Sequence, residues 1–477
     1  MKLATYFSLL FLFIQMNELY AQVVSEQHLE VETRSYASSK GYLPFWLWAN
    51  QKGMIAEKGK FHQLSLLKYT GAITDTAHQL KLSYGVSLTS DAVTGSVILG
   101  NAANAFQLNE AYLSIAYEKV ILKIGEQAAE TQLNGLSATN GDFNYSNNSR
   151  PYPSLLLGTN GFIRLFKNFS FSAVYEEALI RDQYEYIKNP NLHHKNLFLR
   201  WGNPEKLRIT AGMDDYAWWG GTSPNLGYGK LPTGFGDYLR VILCRPGGPN
   251  APQTERDNAA GNHLGQWKFT IEKEIDNQSI TFYLMHPIED RSGIKWQNYR
   301  DNLYGMFWRN KQKQTLISSA LFEFYFTRNQ NIHPENLIAP PHDQWPLNYF
   351  NHEVYQSGFT YKGNVIGAPL FYPVVYDSTG KIVGIANTRF YAFHGGVGGS
   401  IFSGDRYKLM LTYSMNSGIW NSYINRLKRI SSLFEYAWSF NRNLGVNCGV
   451  AHDFTSQGGV YKHVVGGYVG VYWKIMP

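Results

Sequence analysis

The last strand candidate of the chain, from Val464 to Ile475, alternates between two kinds of side chain at every step. One phase carries large apolar groups and the other carries glycine, hydroxyl or charged groups. Because successive side chains of a β-strand point to opposite faces, this segment predicts a strand with one apolar and one polar face. The apolar phase contains Val465, Val469, Val471, Trp473 and Ile475, and the other phase contains Tyr468, Tyr472 and Lys474.

The same alternation recurs along the chain. Residues 80–88 place leucine and valine on one face and lysine and serine on the other, and residues 322–327 alternate Phe322 and Phe324 with Glu323 and Tyr325. Residues 434–440 repeat the pattern with four aromatic side chains. Many such strands without a helical domain between them predict a large closed antiparallel sheet.

The N-terminus determines which solvent the apolar face meets. Lys2 precedes an apolar run from Phe7 to Ile14, and Ala21 is a small residue suited to a cleavage site. Residues 1–21 are therefore predicted to be a secretory signal peptide cut near Ala21, because the run is shorter than the ~18 residues that a spanning helix needs. Residues 22–477 are predicted to form one outer-membrane β-barrel domain in a Gram-negative cell.

Composition agrees with a membrane barrel. Aromatic residues make up 15% of the chain and charged residues only 17%, yet the mean hydropathy is −0.29. A barrel explains this mixture, since lipid-facing and lumen-facing residues alternate and cancel in a hydropathy window. At about 25 residues per strand with its turn and loop, the predicted fold is a single antiparallel transmembrane β-barrel of about 18 strands.

The net charge of +7 and the pI near 9.0 have two interpretations. One is a modest excess of lysine and arginine over turns and lumen, and the other is a basic surface for anionic glycans or lipopolysaccharide phosphates. We predict outer-membrane lipid and lipopolysaccharide as partners and no nucleic acid. Cys244 and Cys448 are too few for a disulfide framework, a single bridge stays open, and their spacing argues against a metal site. No cofactor is predicted.

Long polar interruptions separate the paired strand candidates at about residues 126–152, 214–236, 246–265 and 329–351. Short turns at one end and long loops at the other are typical of outer-membrane barrels, whose long loops lie outside the cell. Residues 22–60 fit either a first strand and turn or a segment tucked into the barrel mouth. Function is therefore expected in the loops and in the lumen.

The first loop region with unusual chemistry surrounds a tryptophan pair. An indole stacks on the apolar face of a sugar ring while carboxylates accept its hydroxyls. The alternative is an aromatic girdle at the membrane boundary. The candidate polysaccharide-binding residues here are Asp214, Asp215, Trp218 and Trp219.

Two further regions concentrate polar and aromatic groups. The acids of the first could form a glycosidase pair, contact a ligand, or form a salt-bridge network that holds a loop. The amides and tyrosines of the second suit glycan hydroxyls, but equally a polar lumen that satisfies its own groups. The chain carries no nucleophile elbow, zinc-protease or phosphate-loop motif, so we predict no enzyme. The candidates are Glu289, Asp290, Arg291, Arg300, Asp301 and Tyr304, followed by Asn348, Tyr349 and Asn351.

Taken in order, six segments resemble the Wzi-like capsule-assembly family of outer-membrane proteins. That resemblance implies a barrel of about eighteen strands with an occluded lumen, and a lectin-like protein that binds or organises capsular polysaccharide at the surface. The alternative is an outer-membrane pore for small solutes or saccharides, and an outer-membrane hydrolase ranks third. The segments are Pro44–Gly53, Ser146–Pro153, Trp219–Gly221, Glu289–Gly293, Asp301–Gly305 and Asn348–Leu370.

Overall fold

The computed structural model describes residues 23–94, 106–225, 227–312, 314–331 and 347–475. The predicted signal peptide lies outside these residues. Strands dominate the described part of the chain. They are β1 (Val23–Ser38), β2 (Phe61–Asp75), β3 (Leu80–Thr94), β4 (Phe106–Tyr117), β5 (Val120–Glu126), β6 (Ser154–Thr159), β7 (Ile163–Phe166), β8 (Phe169–Leu179), β9 (Asn191–Asn203), β10 (Leu207–Trp219), β11 (Asn262–Ile275), β12 (Gln278–Ile288), β13 (Asn302–Asn310), β14 (Ser319–Phe326), β15 (Thr360–Tyr361), β16 (Asn364–Val365), β17 (Val374–Tyr376), β18 (Ile382–Ile385), β19 (Phe390–Gly399), β20 (Asp405–Ile419), β21 (Ser422–Ser439), β22 (Leu444–Gln457) and β23 (Val460–Ile475).

One antiparallel sheet contains all of these strands except the two small hairpins β15–β16 and β17–β18. Each strand pairs with its neighbour in sequence, and β23 pairs with β1 in a register that sets Trp473 opposite Val31, which closes the barrel. Because β6 and β7 both pair with β8, they are two pieces of one interrupted strand. The barrel therefore has eighteen strands, and the predicted fold class is confirmed.

The wall alternates as the sequence predicts. In β23, Val469 is 65% and Trp473 44% exposed on the outer face, whereas Tyr468 is 7% exposed on the inner face. In β14, Phe322 and Phe324 point outward while Glu323 and Tyr325 are buried inside. An apolar exterior around a polar interior is the arrangement of a barrel in lipid, and it places the protein in the outer membrane of a Gram-negative cell.

The two ends of the barrel differ. Turns at residues 76–79, 118–119, 204–206 and 276–277 join strands at the end where β1 begins and β23 finishes. At the opposite end, the connections 39–60, 127–153, 220–261 and 327–389 are long. We call these the turn side and the loop side. Four connections on the loop side are thus much longer than these turns, although residues 420–421 and 458–459 form short turns there too.

Helices are short and belong to the loop-side connections. They are α1 (Phe45–Trp48), α2 (Phe235–Ile242), α3 (Gln253–Asp257) and α4 (Arg291–Ile294), with a 3-10 turn at Leu133–Gly135. Within the described ranges, no helix has both the length and the apolar character required to cross a membrane.

Candidate functional site in the barrel lumen

Helix α1 folds inward and packs inside the barrel. All four of its side chains are buried, and Trp46 donates from its indole nitrogen to the hydroxyl of Thr412 on β20 at 3.1 Å. The backbone N–H of Phe45 donates to a carboxylate oxygen of Asp453 on β22 at 2.9 Å. Residues 23–38 therefore form the first strand, and the connection that follows enters the lumen. Each of the two alternatives for residues 22–60 holds for part of that range.

A second connection is fixed to the inner wall by Glu323. Its carboxylate is fully buried and accepts bonds from the Ser137 hydroxyl at 2.6 Å and the Ala138 N–H at 3.0 Å. The hydroxyls of Tyr283 and Tyr325, at 2.6 and 2.7 Å, donate to the same carboxylate from the wall. One inward acid thus ties residues 133–152 to strands β12 and β14.

A third connection completes the blockage with aromatic packing. The ring of Phe371 lies 4.3 Å from that of Phe350 and 5.3 Å from that of Phe143, centroid to centroid, and all three side chains are buried. Residues 43–55, 133–152 and 347–373 together form one hydrophobic cluster inside the barrel, which we call the loop plug. The loop plug occludes the lumen.

Two polar cavities lie on opposite sides of the loop plug. The turn-side cavity, about 360 Å³, lies between the plug residues Trp46 and Asn50 and the charged inner faces of the strands. The loop-side cavity, about 790 Å³, is lined by loop residues, including Asn348 and His352, and by the β20–β21 turn. Between them a space of about 30 Å³ beside Phe45 holds no more than a water molecule.

Charged pairs between strands line the turn-side cavity. Lys68 reaches Glu110 at 2.5 Å, and Lys408 reaches Glu435 at 2.5 Å. None of the predicted binding residues lines this cavity, although charged residues in the inward phase of the strands were a usable signal for it. Its charged lining residues are Glu30, Glu32, Glu110 and Glu435 with Arg34, Lys52, Lys68 and Lys408.

The loop-side cavity collects four of the candidate binding residues, namely Glu289, Asp290, Asn348 and Asn351. Glu289 accepts a bond from the backbone N–H of Asn348 at 3.1 Å, and burial, reinforced by Asp290, raises its pKa well above the usual range. Burial lowers the pKa of His352 to about 4. At neutral pH, His352 is therefore neutral, and burial favours the protonated form of Glu289, so this cavity offers hydrogen bonds more than charge.

Asp301 and Tyr349 lie beneath that cavity, in a closed network. The Tyr349 hydroxyl donates to Asp301 at 2.7 Å, and the N–H groups of Asn329 and Gln330 donate to the same carboxylate at 2.8 and 2.6 Å. Burial raises the pKa of Asp301 to about 7 despite these donors. The contacts of Asp301 described here are hydrogen bonds within the loops, whereas the structural interpretation of the sequence was a salt-bridge network that holds a loop.

Strand β10 separates the candidates of the tryptophan region, because successive residues alternate between faces. Asp214 and Trp218 point into the lumen, where Asp214 bonds His194 at 2.8 Å. Asp215 and Trp219 point to the outer face, where Trp219 packs beside Val241 of α2. The two tryptophans do not form one stacking surface.

The remaining candidates lie outside both cavities. Tyr304 faces outward from β13 and is 44% exposed beside Phe324. Arg300 is exposed, with its guanidinium 5.5 Å from the ring centroid of Tyr299. The side chain of Arg291 lies outside the described part of the structure. Ligand binding by the thirteen candidates stays a prediction.

No family model and no curated protein matches the chain. Among solved structures, the chain is similar to OccK9 (OpdG) of Pseudomonas aeruginosa, with 10% identity, 95% of this chain and 98% of that chain covered and a TM-score of 0.49. OccAB4 of Acinetobacter baumannii follows, with 10% identity, coverages of 96% and 99% and a TM-score of 0.47. The outer membrane channel DcaP of the same organism has 7% identity, coverages of 96% and 99% and a TM-score of 0.42.

These findings correct the family prediction. The resemblance to the Wzi-like family is wrong, since no family model supports it and the solved structures found are outer-membrane channels. The predicted lectin-like role in capsule assembly is wrong on the same comparison. The physical reason is that the six segments are short aromatic and amide-rich stretches, and such stretches also fill the loops inside this lumen.

Proposed function

We propose that this protein is a gated outer-membrane channel for small polar solutes, with the loop plug as its barrier. The observation that carries the proposal is the pair of polar cavities, about 360 and about 790 Å³, at opposite sides of the plug inside one barrel. Cavities of this size suit small molecules. A barrel whose only task was to display loops would gain nothing from a charged cavity behind the plug.

The charges of the turn-side cavity indicate the class of solute. Its lining contains four carboxylates and four cationic side chains, many of them in close pairs. Paired charges of both signs offer hydrogen bonds without a strong net field, so they favour neutral or zwitterionic solutes over single ions. The hydrogen-bonding groups of the loop-side cavity, including Asn348 and Asn351, support the same class.

Passage requires the plug to move, and we propose α1 as the moving element because it lies between the turn-side cavity and the space beside Phe45. It has one turn, and its polar anchors to the wall are the bonds of Trp46 to Thr412 and of Phe45 to Asp453. Its remaining attachment is aromatic packing, such as Trp48 against Tyr372 at 5.3 Å. Displacement of α1 would join the two cavities. The proposed role is transport, without catalysis, and outer-membrane lipid and lipopolysaccharide are its proposed surroundings.

Planar-bilayer recording and vesicle swelling test the proposal. The wild-type protein is expected to give small, intermittent conductance, and vesicles are expected to swell faster with glycine or arabinose than with gluconate. The double substitution Trp46→Ala and Trp48→Ala should raise conductance several-fold because it removes two indoles from the barrier.

The matched control removes two outward-facing indoles instead, by Trp438→Ala and Trp473→Ala. It should leave conductance unchanged. The proposal fails if correctly folded wild-type and plug variants both pass no more ions or solutes than empty membranes, or if the outward control opens the channel as much as the plug variant.

A further inference from the structure

Three potential metal ligands meet on the outer wall of the barrel. Asp215 of β10 and His263 of β11 are on the same face of the sheet, because His263 pairs with Ala217, two residues from Asp215. The segment after α2 brings Cys244 onto them. The three donor atoms lie within 4.8 Å of one another, and both Asp215 and His263 are buried.

The distances fit a tetrahedral ion. Cys244 Sγ is 3.7 Å from Asp215 Oδ2 and 3.7 Å from His263 Nδ1, and Nδ1 is 3.1 Å from Oδ2. Zinc bonds of about 2.3 Å to sulfur and about 2.0–2.1 Å to nitrogen and oxygen place tetrahedral ligands about 3.3–3.6 Å apart. The triangle therefore needs only a few tenths of an ångström of adjustment to hold Zn²⁺.

The tautomer of His263 also fits. Its Nε2 lies 3.1 Å from the carbonyl oxygen of Ala260, so Nε2 carries the proton that this bond requires. A histidine that ligates a metal commonly donates its other ring N–H to a carbonyl, which orients the ring. In the neutral ring, Nδ1 then presents a lone pair towards the carboxylate of Asp215. Such a meeting of two acceptors is stable only with a cation between them.

That cation is either a second ring proton or a metal ion, and Cys244 separates the two possibilities. A neighbouring thiol adds little stability to a proton shared by His263 and Asp215. A thiolate, by contrast, is a strong zinc ligand. Cys244 is held in place by a backbone φ of 49° and by its N–H bond to Val241 at 3.1 Å. A left-handed conformation at a cysteine is unfavourable unless its surroundings enforce it.

We infer that Asp215, Cys244 and His263 form a zinc site that clamps the α2 segment to the outer wall of the barrel. A thiolate, an imidazole and a carboxylate select Zn²⁺ over Ca²⁺ or Mg²⁺, and three protein ligands leave a fourth position for water. Lys195 Nζ is 2.6 Å from Asp215 Oδ2 and orients this carboxylate, but its charge opposes a dication. The spacing of the cysteines in the sequence argued against a metal site. The three ligands come from three separate elements, so cysteine spacing could not reveal them.

The test uses the mature full chain in detergent micelles, with a Cys448→Ser substitution so that Cys244 is the single thiol. Isothermal titration should show one Zn²⁺ bound per chain. Substitution with Co²⁺ should give a thiolate-to-cobalt charge-transfer band and the intense d–d absorption of a four-coordinate ion. Zinc should also slow maleimide labelling of Cys244 at least tenfold.

Matched variants assign the ligands. Cys244→Ser should abolish the charge-transfer band and weaken zinc binding at least a hundredfold, while Cys448→Ser alone should change neither. Lys195→Gln should tighten zinc binding about tenfold, since it removes a nearby positive charge. The inference is overturned if the folded protein binds no zinc, or if Cys244→Ser leaves both the affinity and the cobalt spectrum unchanged. Neither outcome bears on solute conductance.

Discussion

The two sides of the lumen are built by different rules. On the loop side, in-folded connections make a dry aromatic core, where Phe350 and Phe371 lie 4.3 Å apart. On the turn side, the inner faces of the strands line most of a cavity that contains partly exposed ion pairs such as Lys408 and Glu435. Strand alternation therefore determines the wall, whereas the loops determine whether the wall encloses a packed core or a cavity. Stability should therefore depend on the loop plug and ion preference on the turn-side cavity.

The largest loss of stability is expected from removing the acid that fixes the plug to the wall. Glu323→Ala leaves four buried donors without an acceptor, and we expect it to lower the free energy of unfolding by about 4 kcal/mol. Urea titration of the protein in micelles measures the effect. Glu272→Ala, near the turn-side end of β11, is the matched control, because it removes a partly exposed partner of Arg208 and should cost about 1 kcal/mol. Equal losses for both variants would contradict the division of the lumen.

A smaller effect is expected from pH, through Asp301 on the loop side. Burial raises the pKa of Asp301 to about 7 in the folded protein. Between the ordinary pKa of an aspartate, about 4, and pH 7, the folded protein therefore keeps a proton on Asp301 that the unfolded chain has released. Stability from this group is greatest below pH 4, falls as pH rises to about 7, and is constant above, with a total change of at most about 4 kcal/mol.

Asp301→Asn should remove this part of the pH dependence, as judged by urea midpoints between pH 4 and pH 8. Tyr349, Gln330 and Asn329 donate to the carboxylate, and Arg389 is the nearby cation. Glu289 also has a raised pKa and contributes with the same sign, so the difference between Asp301→Asn and wild type isolates Asp301. An unchanged profile would show that Asp301 is not the titrating group.

The smallest change in stability, and the sharpest change in selectivity, is expected from Lys68→Met. Removing a partly exposed partner should cost under about 1 kcal/mol. Four acids would then face three cations in the turn-side cavity, so the reversal potential in a salt gradient should shift towards cation selectivity. Lys119→Met, in an exposed turn outside the lumen, is the control. Equal reversal potentials for the two variants would place the ion route elsewhere.

Much of the barrel was predictable because its signal is local. Alternation assigned Phe322 outward and Glu323 inward, and the same logic held in the last strand for Val469 and Tyr468. Applied more strictly, it would also have separated Trp218 from Trp219, which are neighbours in sequence and therefore lie on opposite faces of β10.

The lumen was not predictable in the same way, because its contacts join residues distant in sequence. Glu323 bonds Ser137 across 186 positions, and no local pattern marks either residue as a partner of the other. Six short polar and aromatic segments suggested sugar recognition and a family, yet three of them, Pro44–Gly53, Ser146–Pro153 and Asn348–Leu370, lie in the loop plug. The candidates Glu289 and Asn348 each lie in a compact loop segment, whereas the turn-side charges are spread over many strands.

The bond from the N–H of Phe45 to Asp453 has a consequence for how the molecule assembles. It spans 408 positions, from the first connection to the next-to-last strand. Contacts of such separation form late, since the intervening chain must first be ordered. The first loop emerges from the ribosome early, but its hydrogen-bond partners on β20 and β22 are absent until those strands have formed. Burial of Trp46 is therefore a reporter of completed assembly, and a stalled barrel would retain that indole in water.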